Sequence, residues 1–144
     1  MRSSPTIVTE SDHRRPTELL AAKPDQWVHR PAEALRRKLE HAVVVPANDV
    51  PPHVITMGSR FVLRDPVTGA TAPCTLVYPD DDGPRGNISI LSPGGVALLG
   101  RPEREVVEWA VPAIIERAEV RAVSYQPEAA DAFWTRAASR LLEV

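Results

Sequence analysis

The stretch that most constrains the fold is residues 88–100, because its hydrophobic period changes halfway along. Residues 88–90 alternate between apolar and polar side chains, which is typical of a half-buried strand. Ser92 and Pro93 then follow as an N-cap and a first helical residue, and an apolar run comes after them. Gly100 is a glycine suited to the positive φ just past a helix. The stretch therefore predicts a strand that leads into a very short, mostly buried helix.

The segments on both sides of this helix carry the alternation of strands. A turn sequence at residues 65–69 separates the first two, which indicates a hairpin. The predicted strands are residues 55–64, 72–78, 88–90, 105–111 and 114–125. Together they predict an α+β fold with five or so antiparallel strands and one short helix packed on the sheet.

Two short helices are predicted before the sheet, at residues 11–22 and 31–42. Ser11 and Asp12 are candidate caps of the first, which places Pro16 in its first turn, where a missing N–H costs little. The second has an apolar stripe at spacings of four and three. We expect the pair to form an antiparallel hairpin whose seam is Leu19, Leu20, Leu35 and Leu39.

The remaining segments divide the chain into three predicted parts. Residues 6–9 form a short apolar run that either extends along a neighbour or is a loose terminus. Residues 43–52 are interpreted as a linker, and residues 127–144 have apolar side chains at helical spacing. The predicted parts are a helical hairpin (1–50), a sheet domain (51–127) and a helical tail (128–144).

The composition of the chain limits which kinds of partner the protein is expected to bind and in which compartment it is expected to act. The net charge of −2 gives no reason to expect strong nonspecific binding to nucleic acid or to an anionic membrane. No apolar run approaches the roughly 20 residues that span a bilayer, and no secretory signal is visible at the N-terminus. We therefore expect a cytoplasmic protein that binds neither membranes nor nucleic acid directly. Cys74 is the only cysteine and is interpreted as a small core residue.

No motif in the sequence predicts catalysis, a metal or a cofactor. Gly94 and Gly95 lack the lysine and the spacing of a phosphate-binding loop. The four histidines are scattered and have no cysteine pair near them, so no metal site is expected. Residues 80–82 are three aspartates without the glycine and distal glutamate of a calcium loop, and they are interpreted as a solvated acidic loop.

Four ordered motifs resemble one known family. Residues 92–100 read Ser-Pro-x-x-x-Ala-Leu-Leu-Gly, similar to the signature in the C-terminal domain of the Gre transcript-cleavage factors. Residues 54–60, 75–79 and 125–129 resemble, in the same order and at similar spacing, the Rnk-like branch of the GreA/GreB transcription elongation factors. The resemblance is clear from about residue 51 to residue 129 and absent after residue 130.

The resemblance implies an FKBP-like C-terminal domain that docks on RNA polymerase. In this family the domain binds the coiled-coil rim of the polymerase β′ subunit, at the entrance of the secondary channel. Many cleavage factors of this family carry an acid just before the Ser-Pro, whereas this chain has Leu91, as Rnk-like chains commonly have an apolar residue nearby; the difference bears on how tightly the chain binds the rim. The polymerase-binding residues implied by the matching motif are Ser92, Pro93, Gly94, Ala97 and Gly100.

Gre factors also carry a long helical hairpin whose acidic tip helps bind Mg²⁺ at the polymerase active site. Mg²⁺ prefers oxygen ligands, so that role needs carboxylates at the tip. Here the predicted helices of about 10 to 12 residues would reach only roughly 15 to 18 Å. The arm tip implied by the resemblance is Asp25, Gln26 and Trp27, with one acid. We therefore predict a noncatalytic transcription regulator that competes with Gre factors without stimulating cleavage.

Two other functions are weighed against this prediction. The helical tail either packs on the chain's own body or contacts a partner, so a protein-interaction module that acts through the tail is the alternative. A prolyl isomerase is disfavoured, although the implied sheet is FKBP-like, because residues 51–126 offer only Phe61, Tyr78, Trp109 and Tyr125 to line a proline pocket.

Overall fold

The computed structural model describes residues 4–22, 30–81, 86–111 and 114–133. They form an α+β structure, as the sequence predicts. Its strands are β1 (Ile7–Thr9), β2 (Val43–Val45), β3 (Arg60–Arg64), β4 (Thr71–Val77), β5 (Asn87–Ser89), β6 (Val106–Val111) and β7 (Ile114–Tyr125). Its helices are α1 (Glu10–Ala22), α2 (Arg30–His41) and α3 (Pro93–Leu98), and a further helix, α4, is described over residues 127–133.

Five strands form the main sheet in the order β5-β4-β3-β7-β6. The pairs β3–β4, β3–β7 and β6–β7 are antiparallel, but β4 and β5 run parallel, so the prediction of a purely antiparallel sheet is wrong at this edge. Alternation of apolar and polar residues is the same in both kinds of pair, so it carries no information on strand direction. The stretch between Val77 and Asn87 is long enough to return the chain along the sheet before β5 begins.

The first strand of the main sheet is shorter than predicted, because β3 begins at Arg60 and not at residue 55. Gly58 has φ 82°, and the Ser59 hydroxyl accepts a hydrogen bond from the Thr56 N–H at 2.8 Å, so residues 56–59 form a tight turn. Ile55 instead pairs with the chain that leaves α3, accepting from Gly100 N at 2.9 Å. The apolar residues before Arg60 are therefore apolar because they are buried in the core, and not because they form a strand.

Residues 43–45 are a strand and not the predicted linker. Together β1 and β2 make a two-stranded parallel sheet in which Ile7 is opposite Val43. Of the two alternatives for residues 6–9, the structure therefore has the run extended along a neighbour. Val8 and Thr9 are completely or almost completely buried, whereas Val43 and Val44 are exposed. Strand β1 therefore packs on the core, and β2 lies on the solvent side of it.

The first helix begins earlier than predicted. The Thr9 hydroxyl accepts a hydrogen bond from Asp12 N at 3.0 Å, so Thr9, and not Ser11 or Asp12, acts as the cap. Pro16 consequently lies inside α1 and not in its first turn. A proline there removes one backbone hydrogen bond, but its ring is fully buried, and that burial offsets part of the cost.

One hydrophobic core joins the helical pair to the sheet. Leu20, Leu35 and Leu39 are buried and Leu19 packs against them, so the predicted seam residues do lie inside. The same cluster continues into the sheet and α3, where Leu98 is fully buried as predicted. Its largest fully buried side chains are Phe61, Leu35, Ile55, Leu76, Ile90, Leu98 and Leu99. The base of α1 and α2 is thus part of the same packed body as α3.

Replacing Gly100 with alanine is expected to destabilise the chain by about 2 kcal/mol more than replacing Gly69. Both glycines have nearly the same positive φ, 79° and 78°, so both variants carry the same backbone strain. A Cβ at Gly100 would clash with Thr6 Cγ2 at 2.6 Å and the Ile7 carbonyl oxygen at 2.9 Å, whereas one at Gly69 would make only an ordinary contact with Arg64 Nη2 at 3.7 Å. Urea unfolding of the two variants measures the difference, and equal free energies of unfolding would contradict the packing at Gly100.

Candidate functional site

The short helix α3 is fixed at its start by Ser92. The Ser92 hydroxyl accepts a hydrogen bond from Gly95 N at 3.1 Å and donates one to the Ser89 carbonyl oxygen at 2.7 Å. Pro93 occupies the first helical turn, where its missing N–H costs nothing. The predicted cap and proline are therefore confirmed, and the helix start is locked to the end of β5.

The two glycines after Pro93 let α3 lie directly on its neighbours. A Cβ on Gly95 would stand 1.8 Å from the Ser89 carbonyl oxygen, and one on Gly94 would stand 3.3 Å from the Trp109 indole. A side chain at Gly95 cannot be accommodated at all, whereas at Gly94 it would be a tight contact. The helix can therefore present its first turn only because residue 95 is glycine.

The predicted docking residues differ in exposure. Ser92, Pro93 and Ala97 are half-buried, so each offers part of its surface to a partner. Gly94 and Gly100 are buried, and their visible role is to permit close packing. The accessible part of the predicted set is therefore the mouth of α3 and one position in its last turn.

Beside the mouth of α3 lies an open cleft of about 550 Å³ on the sheet. Trp109 lines it and donates from Nε1 to Glu116 Oε2 at 2.9 Å. The charged residues that line the cleft are of both signs: Arg64 and Arg117 are cations, and Asp65 and Glu116 are anions. An apolar indole surrounded by both signs of charge suits a protein surface better than a phosphate or a metal ion.

The far end of α3 is contacted by the second helix. Lys38 Nζ donates to the Val96 carbonyl oxygen at 2.6 Å and to the Ala97 carbonyl oxygen at 2.8 Å. The pKa of Lys38 is lowered to about 7, chiefly by burial and also by the nearby Arg101 cation, against an opposing effect of Glu105. Lys38 was not predicted as a site residue, because a lysine in an amphipathic helix gives no sign of which carbonyls it will reach.

A second polar contact lies where α1 meets the turn at residues 56–59. The Asp12 carboxylate is buried and accepts a hydrogen bond from Met57 N at 3.0 Å. Thr56 Oγ1 donates to Glu128 Oε1 at 2.6 Å, which brings the start of α4 to the same place. The pKa of Asp12 is raised to about 6, chiefly by burial, which the Met57 hydrogen bond opposes and the Glu128 anion reinforces. Sequence reasoning treated Asp12 only as a cap.

The predicted arm tip, Asp25, Gln26 and Trp27, lies outside the described residues, as does the tail from residue 134 onward. What the structure does describe is the length of the two helices, 13 residues for α1 and 12 for α2. His13 Nε2 donates to the Leu39 carbonyl oxygen at 3.1 Å and joins the first turns of α1 to the last turn of α2. At 1.5 Å per residue the two helices extend roughly 18 to 20 Å.

The described part of the chain contains no group of three or more histidine, cysteine, aspartate or glutamate residues that could hold a metal ion. None of the helices within the described ranges is long and apolar enough to cross a membrane.

Comparison with known proteins places these features in context. The family described as "Transcription elongation factor, GreA/GreB, C-term" matches residues 50–125. The chain is 32% identical over 130 residues to the "Regulator of nucleoside diphosphate kinase" of Escherichia coli K12, which covers 89% of this chain and 96% of that protein. It is 37% identical over 79 residues to transcription elongation factor GreA of Dehalococcoides mccartyi, covering 54% of this chain and 51% of that one.

A solved structure shares the fold as well. The "Prokaryotic transcription elongation factor GreA/GreB from Nitrosomonas europaea" superposes with a TM-score of 0.72 at 32% identity, over 83% of this chain and 99% of that chain. The superposition takes in most of the chain and not only the sheet. The motif at residues 92–100 lies within the matched family region.

Proposed function

Because the chain belongs to the GreA/GreB transcription elongation factor family, we propose that it is a noncatalytic regulator that binds RNA polymerase near the secondary channel and competes there with Gre cleavage factors. Its docking part would be the FKBP-like sheet domain, residues 51–127. Its arm would be the antiparallel pair formed by α1 and α2, and "the arm" is used below for these two helices.

The observation that carries the proposal is an arm that is short and whose two helices are joined by a segment poor in acids. The helices α1 and α2 extend roughly 18 to 20 Å. Between them, residues 23–29 include a single carboxylate, Asp25, and therefore no pair of carboxylates that could share a Mg²⁺ ion. Such an arm supports obstruction of a channel entrance and does not supply what cleavage needs. The regulator acts without a metal or cofactor of its own.

The mouth of α3 supports the docking half of the proposal. Ser92 and Pro93 are half-buried at a helix start that two hydrogen bonds hold rigid, so little conformational entropy is lost when a partner covers them. Trp109 and the mixed-charge cleft lie next to them. Aromatic anchors surrounded by charged residues are the usual composition of a protein interface.

Replacing Pro93 with glutamate is expected to weaken binding to core polymerase by about tenfold, the loss typical of a buried interface residue. An acid in the first turn is favourable for the helix, so α3 should still form. A pull-down with purified core polymerase measures the affinity. Val44→Glu is the control, because Val44 is 43% exposed on β2, in the separate two-stranded sheet, and does not line the cleft. Equal affinities for both variants would contradict docking through the mouth of α3.

A second candidate function is an interaction module that acts through α4. The observation in its favour is that Phe133, the last described residue of α4, is a large apolar side chain with 58% of its surface exposed. This function predicts that deleting residues 131–144 abolishes capture of a partner while polymerase is never recovered. Pull-downs with full-length and truncated chains therefore separate the two functions.

A further inference from the structure

Lys38 is the residue through which α2 reaches α3. Its ammonium group contacts two successive carbonyl oxygens, those of Val96 and Ala97, at 2.6 and 2.8 Å. These residues are 58 and 59 positions further along the chain, so the contact joins two parts of the fold that are remote in sequence. It is also half-buried, which strengthens each hydrogen bond relative to an exposed one.

The two carbonyls belong to a helix end that needs an outside donor. In a longer helix they would accept from Gly100 N and Arg101 N. Here Gly100 N donates instead to the Ile55 carbonyl oxygen, and Arg101 N donates to that of Leu98. The Lys38 side chain therefore takes the place of the next helical turn. Since α3 ends where Lys38 contacts it, the orientation of α2 relative to the end of α3 depends on this contact.

The first helix has its own polar attachment to the sheet domain. The Asp12 carboxylate accepts from Met57 N, and the Arg15 guanidinium stacks over the Tyr78 ring at 4.6 Å from its centroid. The arm is thus tied to the body at two separate places, one on each helix. The hydrophobic core that the arm shares with the body is non-directional, whereas polar contacts on two different helices fix an angle.

We infer that Lys38 is a positioning residue that sets the angle of the arm relative to α3, and so decides where the arm points when α3 is docked. The inference rests on the proposed function for its consequence, but its geometry does not depend on polymerase. A neutral amine has two N–H groups and a charged one has three, so both forms can donate to both carbonyls. The attachment therefore holds on either side of neutral pH.

The angle is measured by the distance between two spin labels in the free protein. We place one label on the arm at Glu18→Cys and one on the sheet domain at Val67→Cys, both at exposed positions, in a chain whose only cysteine is replaced by Cys74→Ala. The labelled chain that retains Lys38 is expected to give one narrow distance distribution. Lys38→Met keeps most of the apolar stem of the side chain, at one atom less in length, but removes the donors, and the distribution should broaden or shift.

The matched control is Arg37→Met, which removes a charge from the neighbouring exposed position of α2 and should leave the distribution narrow. If Lys38→Met does not fold, Lys38→Gln provides the same test, because its amide is one atom too short to reach both carbonyls. An unchanged distribution in a folded Lys38 variant would overturn the inference. A change in stability alone, with the distance unchanged, would assign Lys38 a merely structural role and overturn it equally.

The consequence for function is a separation of docking from obstruction. Lys38→Met is expected to bind core polymerase with unchanged affinity but to inhibit Gre-stimulated cleavage about tenfold less, because an arm without a fixed direction loses its preorganisation. Equal loss of binding and inhibition would contradict a positioning role. If no variant, including the parent chain, binds polymerase while the label distances still respond to Lys38, the proposed function fails and the inference about the arm stands.

Discussion

Replacing Gly95 with alanine is expected to cost more than about 4 kcal/mol in free energy of unfolding, which is at the extreme of single substitutions. The new Cβ would stand 1.8 Å from the Ser89 carbonyl oxygen and 2.7 Å from its carbon, both backbone atoms that cannot move aside as a flexible side chain can. That carbonyl oxygen also accepts from Ser92 N at 3.0 Å and from the Ser92 hydroxyl at 2.7 Å. The substitution therefore breaks the junction of β5 and α3 and not one contact alone.

The neighbouring Gly94→Ala is the control for this prediction. Its Cβ would meet the Trp109 indole at 3.3 Å, a tight contact with a side chain that can shift. Alanine also favours helix by about 1 kcal/mol over glycine, which offsets part of that strain. Urea unfolding should show Gly94→Ala close to the parent and Gly95→Ala largely unfolded. A Gly95→Ala chain within about 1 kcal/mol of the parent would mean that α3 does not lie on Ser89 as described.

The second large effect is a loss of stability between about pH 4 and pH 6 that depends on Asp12. Burial raises the pKa of this carboxyl from 3.8 in the unfolded chain to about 6 in the folded one. In this window the folded chain holds a proton that the unfolded chain has released, so the stability contributed by Asp12 falls as pH rises. The gap between the two pKa values corresponds to a loss of roughly 3 kcal/mol in the free energy of unfolding, and this loss is complete above about pH 6.

Asp12→Asn removes this titration while keeping an oxygen that can accept from Met57 N. Urea unfolding at several pH values from 4 to 7 should show the variant gaining on the parent by roughly 3 kcal/mol across the window. Asp65→Asn is the control, because hydrogen bonds from the Val67 and Thr68 N–H groups lower the pKa of exposed Asp65 below 3.8. Its profile should run parallel to that of the parent. A constant difference between Asp12→Asn and the parent would contradict a buried, proton-holding carboxyl.

Local chemistry made the helix α3 predictable from sequence. Ser92 and Pro93 mark a helix start by cap and fixed φ, and Gly100 marks its end with a φ of 79°. These features depend on residues close together in the chain. The same holds for the hairpin of β3 and β4, whose turn at residues 65–69 was predicted from turn residues alone.

Features that depend on distant partners could not be predicted in this way. Residues 43–45 are a strand only because β1 lies beside them, and their valines fit a linker or a strand equally well. The parallel pairing of β5 and the roles of Lys38 and Asp12 have the same origin, since each is decided by a group more than ten residues away. Pro16 inside α1 shows tertiary burial overriding a local rule.

Transcript cleavage by stalled elongation complexes, with a Gre factor present and this protein added in increasing amounts, tests whether the arm obstructs the channel without catalysing. We expect cleavage stimulated by the Gre factor to fall progressively to its unstimulated rate, and this protein alone to leave that rate unchanged. Unaltered Gre-stimulated cleavage at saturating protein, or stimulation by this protein alone, would contradict a short arm with an acid-poor end that obstructs without catalysing.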